Sequence, residues 1–402
     1  MISSLWWPGD HRAGDLMADG AFLAAMLRVE AAWSSVLVST GIAPASAVVA
    51  PADLSGVAVD VAALAEEAEA GGNPVIPLVG LLRSALPEPA ATWLHRGLTS
   101  QDVVDSAIQL CVRDALAVVR RGLVAQVTAL AALADAHRAT PMVGRTLTQP
   151  AVPTTFGAKV ADWLAGLLDA ADDLLALDFP VQLGGAAGTL AAVVELGGPE
   201  AARAARSAFP LALGLTPSAP WHTRRAPVTR TGDACARLAG AWGRIANDVL
   251  VLGRPELGEV VDGAGGGSST MPHKTNPTTA TLLRRHALAA PSLAASLHAA
   301  AAAQVDERAD GGWHAEFAPL ATLVRRTVVG AGQATDLVCG LRVDAARMTA
   351  RVAELDAALR AEQETMARLA DHPPADAYLG LVDDLVDETL ARAARLTEEN
   401  PR

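Results

Sequence analysis

Residues 99–138 read TSQDVVDSAIQLCVRDALAVVRRGLVAQVTALAALADAHR. Apolar side chains at Val104, Ile108, Cys111, Ala115 and Val118 step by three and four, the spacing that keeps one face of an α-helix apolar. At about 1.5 Å per residue such a helix spans roughly 50–60 Å. That is too long for a compact globule and right for the spine of a bundle. Similar long patterns occur at about 153–178, 228–253, 278–305 and 313–338, separated by Gly/Pro loops, so five long helices are expected.

Outward from this spine, residues 1–94 hold helical patterns near 19–40 and 60–70 and a Pro/Gly-punctuated stretch around a short helix. Residues 339–402 are shorter-patterned and charge-rich. The expected architecture is all-α, with an N-terminal helical domain (1–94), a central long-helix bundle (95–338) and a C-terminal helical domain (339–402). Composition agrees. Hydrophobic residues make up 51% and aromatics only 3%, a balance of Ala, Leu and Val that suits close-packed helices. A chain of 402 residues exceeds the size at which one core keeps growing.

The formal charge of −12 with no Lys/Arg-rich block removes the electrostatic footprint of a nucleic-acid binder. The N-terminus MISSLWWPGDHRAGD lacks the basic-then-apolar order of a signal peptide. The Ala-rich run near 287–305 is broken by Pro291, Ser292, Ser296 and His298. A soluble, cytoplasmic protein with no membrane partner is expected. Cys111, Cys235 and Cys339 lie far apart, which indicates neither a disulfide framework nor a zinc knuckle.

Several segments place polar groups at helix starts. In HRGLTSQDVVDSA (95–107), Thr99 with Asp102 three residues on resembles a capping box, yet uncommitted N–H groups and hydroxyls there also make an anion site. GRTLTQPA (144–151) crowds Arg145, Thr146, Thr148 and Gln149 ahead of a helix, where they serve as loop solvation or as a carboxylate clamp. PWHTRR (220–225) offers His222 and Arg225, and DERADGGWHAEF (306–317) offers Arg308. The richest segment is GAGGGSSTMPHKTNP (263–277). It lacks the Gly-Lys-Ser/Thr of a phosphate loop. Asn276 capping a helix with Pro277 at its first position explains its end, but leaves Ser268, Ser269 and Lys274 for another purpose. Its glycines suggest a mobile lid.

GSSTMPHKTNP (267–277) resembles the signature loop of the fumarase/aspartase superfamily, and HRGLTSQDVVDSA, GRTLTQPA and DERADGGWHAEF resemble its companions in the family's order. TSQDVVDSA, QLGGAAGTL, PWHTRR and GGWHAE most resemble the 3-carboxy-cis,cis-muconate cycloisomerase branch. The resemblance implies a three-domain helical protomer in a homotetramer, with active sites shared by three chains, and no metal or organic cofactor. It implies that Ser268 exchanges a carbon-bound proton, with Ser269 and His95 in the catalytic set. Thr99, Ser100, Arg145, Thr148, Gln149, His222, Arg225, Lys274, Asn276 and Arg308 would bind a small polycarboxylate. Where many members carry an acid-supporting His, this chain has Leu147. Leucine protonates nothing, so a leaving group that departs as an anion is favoured over an amine. A cycloisomerase is therefore expected, the alternative being an elimination lyase acting on a substituted succinate. Asp306 and Ala226 also depart from the family pattern.

Overall fold

The computed structural model describes residues 4–263 and 265–399. The periodic segments form helices close to their expected bounds. In chain order these are α1 (Asp19–Ser39), α2 (Pro51–Ser55), α3 (Val61–Gly71), α4 (Val75–Ala85), α5 (Ala90–Trp93) and α6 (Ser100–Ala136). A hairpin of β1 (Pro141–Thr146) and β2 (Gln149–Thr155) precedes α7 (Phe156–Leu175), α8 (Ala191–Leu213) and α9 (Ala226–Leu252). Then come β3 (Val260–Val261), α10 (Thr278–Ala302), α11 (Gly311–Ala315), α12 (Phe317–Gly340) and β4 (Arg342–Val343). The chain ends with α13 (Ala345–Glu354), α14 (Asp356–Leu369) and α15 (Val382–Glu399). The fold is all-α, 66% helical with little sheet.

Two elements differ from expectation. The β1–β2 hairpin occupies residues read as a loop, so α7 starts at Phe156. Helix α8 was hidden by its own composition, because Pro199 and Pro210 lie inside it and Gly198 (φ 79°) kinks it.

The chain divides into two compact units. The first is Met1–Ala117, Ala176–Asp233 and Pro291–Val328; the second is Val118–Leu175, Ala234–Ala290 and Val329–Arg402. In the first, α1 packs on α8, with Trp33 edge-on to Phe209 at 5.1 Å. Helix α6 enters this core carrying Gln101, Asp102, Asp105 and Gln109, all buried. Helices α1 and α6 are long and apolar enough to cross a bilayer. The buried carboxylates on α6 are nevertheless satisfied by protein partners, as described below, which is core-helix behaviour.

In the second unit one amide ties three helices together. Gln126 of α6 accepts from Trp242 Nε1 of α9 at 2.8 Å and donates to the Ala331 carbonyl and Thr335 Oγ1 of α12 at 3.0 and 3.1 Å. Helix α15 packs on α7, where Arg392 reaches Asp169 and Asp172 at 2.6 Å each. The hairpin is backed by α13 against β1 and α14 against β2.

Candidate active site

The expected site residues fall into two sets, one in each unit. In the first unit, the segment ahead of α6 carries His95, Thr99 and Ser100, all half-buried. Thr99 forms half of the anticipated capping box, its backbone N–H donating to Asp102 Oδ2 at 3.0 Å. Its hydroxyl is used differently, accepting from Arg308 Nη1 at 2.6 Å. The structure thus joins Thr99 and Arg308 across 209 residues of sequence, placing a guanidinium at the start of α6. Such a pairing favours an anionic ligand.

Asp102 holds this corner together. It is fully buried and accepts from Gly184 N (2.8 Å), Gly185 N (2.9 Å) and His222 Nε2 (3.1 Å) besides Thr99. The glycine-rich stretch 181–190 therefore cradles a carboxylate of its own chain. His222 is buried, so it is neither a surface histidine nor an exposed ligand group.

Arg225 is also wholly buried. Its guanidinium is bidentate to Asp105 at 2.8 and 3.0 Å, and its Nε and Nη2 bond Glu316. Trp313 Nε1 donates to Asp105 Oδ1 at 3.0 Å, and Trp221 stacks 4.6 Å from the guanidinium. Arg225 is committed to two internal carboxylates, Asp105 and Glu316. Ionising both carboxyls around one cation would leave a net negative charge in a dry place. Burial pushes the Glu316 carboxyl from an ordinary 4.5 up to about 7; Arg225 opposes this and Asp105 adds to it.

That shift makes stability depend on pH. Between the two values the folded state holds more protons at Glu316 than the unfolded state, so this stabilisation is full below 4.5 and lost as pH rises through about 7. Glu316→Gln is expected to flatten the decline and to be more stable than wild type at alkaline pH, by up to about 3 kcal/mol. Denaturant midpoints for both proteins from about pH 5 to pH 8 check it. Parallel curves count against the assignment.

In the second unit the hairpin carries Arg145, Thr148 and Gln149. Arg145 makes a bidentate pair with the buried carboxylate of Glu259 at 2.7 and 3.1 Å. The two-residue turn is Leu147–Thr148, with φ of 47° and 68°. Both central residues therefore take the left-handed region that a type I′ turn demands, although neither is Gly, Asn or Asp. Such conformations cost about 1–3 kcal/mol each and cluster at functional sites. Leu147 is 96% exposed at the tip, with Thr148 and Gln149 exposed beside it.

The signature loop is anchored at its base. Strand β3 pairs with β4 just before it, and Gly266 and Asn276 exchange backbone hydrogen bonds of 2.8 and 2.7 Å. The helix α10 cap differs from expectation. Asp262, not Asn276, accepts from Thr279 N and Ala280 N at 3.0 and 3.2 Å, while Asn276 Nδ2 donates to the Gly267 carbonyl at 3.1 Å. The glycines also act differently from a simple hinge. A Cβ at Gly263 would run into the Gly340 carbonyl, and one at Gly266 into the Thr278 hydroxyl, so these two glycines allow close approach. Beyond the anchor, Ser269 and Lys274 are exposed. Half-buried Ser268 turns its Oγ back to accept from Thr270 N at 3.3 Å and Met271 N at 3.1 Å. Two backbone donors on one hydroxyl oxygen stabilise its alkoxide form.

Sequence reasoning missed Glu30, Asp105, Glu259, Asp262 and Glu316. Their signal was a charged residue within an apolar stripe or beside a structural turn, with its partner far away in sequence.

Comparison with known proteins adds to this geometry. A lyase family model matches residues 59–291. Nitrosuccinate lyase of Streptomyces davaonensis is 44% identical over 349 residues, covering 84% of this chain and 73% of that protein. The 3-carboxy-cis,cis-muconate cycloisomerase of Bradyrhizobium diazoefficiens is 41% identical over 360 residues, covering 87% and 78%. The crystal structure of 3-carboxy-cis,cis-muconate lactonizing enzyme from Pseudomonas putida superposes with a TM-score of 0.82 at 30% identity, covering 96% of this chain and 97% of that one.

Proposed function

Because the chain belongs to the lyase family of the fumarase/aspartase superfamily and is an enzyme of that superfamily, we propose that it lactonises 3-carboxy-cis,cis-muconate. The observation that carries the leaving-group class of this reading is Leu147, 96% exposed at the hairpin tip, in the position that resemblance assigns to an acid-supporting His. An amine leaving group needs a proton that Leu147 does not supply. A carboxylate, with a pKa of about 4, leaves and returns as an anion near neutral pH.

In the lactonising direction a substrate carboxylate adds to the diene carbon beta to a second carboxylate. The electron pair moves into that second carboxylate, giving an aci-form held by Lys274 and Asn276. Ser268 then delivers a proton to the alpha carbon, and the C–O bond formed closes the ring. Thr99, Ser100, Thr148, Gln149 and Arg308 hold the remaining carboxylates, within a cytoplasmic homotetramer whose sites draw loops from neighbouring chains. The 41% identity to a cycloisomerase over most of both chains supports this assignment.

A second reading has its own support in the 44% identity to nitrosuccinate lyase. Nitrite, like a carboxylate, is a weakly basic anion that departs without a proton, so Leu147 suits elimination of nitrite equally well. Both readings share the anionic leaving group. Purified enzyme is expected to be inert towards adenylosuccinate and argininosuccinate, and towards fumarate with ammonia, when fumarate absorbance is followed. Fumarate release from either amine-bearing substrate overturns the role given to Leu147.

A further inference from the structure

Glu30 lies on the buried face of α1, next to Val29 and Ala31 and one turn from Trp33 and Ser34. Its side chain is fully buried, where an ionised carboxylate is unfavourable without a strong partner. That partner is His95, whose Nδ1 is 2.6 Å from Glu30 Oε1. The backbone on either side of His95 is fixed as well. Arg83 of α4 donates to the Leu94 carbonyl at 2.7 Å, and Trp33 Nε1 donates to the Arg96 carbonyl at 2.7 Å. His95 itself has φ 64°, in the left-handed region that few non-glycine residues adopt. Three side chains from two helices therefore fix the three-residue segment 94–96. A plain loop has no need of such restraint. The ring keeps 17% of its surface exposed, and among the described residues its Nε2 makes no hydrogen bond.

We propose that Glu30 is a positioning residue for His95, holding the imidazole as the Nδ1–H tautomer and presenting Nε2 to a substrate carboxylate. In this pairing Glu30 Oε1 is the acceptor and Nδ1 carries the proton between the two groups. Hydrogen bonding and proton exchange with substrate then run through Nε2. A proton arriving there makes an imidazolium whose charge Glu30 balances. Arg83 feels the charges of both Glu30 and Arg96; Arg83 contributes by clamping the backbone and Arg96 points its Nε at the Thr92 carbonyl. The proposal rests on His95 belonging to the substrate site, and its test separates the two claims.

Enzyme labelled with 15N-histidine reports the tautomer by two-bond proton–nitrogen correlation without any substrate, the His95 signal being identified by its loss in His95→Asn. Wild type and Glu30→Gln, which keeps an acceptor, are expected to show protonated Nδ1 and bare Nε2; Glu30→Leu is expected to lose that preference. With a substrate that is turned over, Glu30→Leu is expected to lower kcat/KM by about 10²-fold, and Glu30→Gln by much less. Wild-type His95 protonated at Nε2 with a bare Nδ1 overturns the proposal, as does a Glu30→Leu enzyme with unchanged tautomer and unchanged kcat/KM. Should Glu30→Leu not fold, the wild-type and Glu30→Gln spectra decide. With a correct wild-type tautomer and no kinetic effect in Glu30→Leu, a His95→Asn enzyme of lowered kcat/KM refutes the positioning role alone, and one of unchanged kcat/KM places His95 outside the site.

Discussion

Ser268→Ala is expected to lower kcat by about 10²–10⁴-fold, the range for removing a group that transfers a proton in the transition state, while KM changes little. Ser268 Oγ receives two backbone N–H groups from within its own loop, so its alkoxide has built-in stabilisation whose removal affects the proton-transfer step. The loop base does not depend on that hydroxyl. It is tied by the Gly266–Asn276 backbone pair and by Asp262 at the start of α10. Substrate binding by calorimetry, measured alongside steady-state rates, separates loss of chemistry from loss of structure. A Ser268→Ala enzyme that turns over at the wild-type rate removes Ser268 from the mechanism, whereas lost binding with an altered fold assigns it a structural role.

The second large effect concerns stability. Arg225→Met leaves Asp105 and Glu316 facing each other without their cation, both fully buried. Breaking a buried pair on one side costs about 3–5 kcal/mol, because the remaining charge is uncompensated. Removing the charges together is far less costly. The triple variant Asp105→Asn, Arg225→Met, Glu316→Gln is therefore expected to recover much of the loss, since the amide oxygen introduced in place of the Asp105 carboxylate still accepts from Trp313. Denaturant unfolding of the single and triple variants tests this. A single variant within about 1 kcal/mol of wild type means that the cluster is worth no more than a surface pair.

Much of the fold was legible because it is written in local period. The α6 pattern predicted a helix over 99–138, and the helix runs Ser100–Ala136. The hairpin was not legible, since its turn uses Leu147 and Thr148 where a hairpin signal relies on Asn-Gly or Asp-Gly. Two prolines in β2 also argue locally against a strand. For the site, the motif-bearing residues were visible and their partners were not. His95 meets Glu30 across 65 residues, Arg145 meets Glu259 across 114 and Arg225 meets Asp105 across 120. No short window contains both members of such a pair. The signature glycines show the same limit: composition suggested slack, while at Gly263 and Gly266 the neighbouring backbone or side chain leaves no room for a Cβ.

The most direct test of the proposed chemistry offers wild-type enzyme 3-carboxy-cis,cis-muconate and nitrosuccinate in parallel, following loss of diene absorbance in one and nitrite with fumarate release in the other. Rapid loss of the diene, with lactone formed in equal amount and nitrosuccinate left intact, is the predicted result. Nitrite and fumarate released from nitrosuccinate while the diene persists contradicts the lactonising assignment.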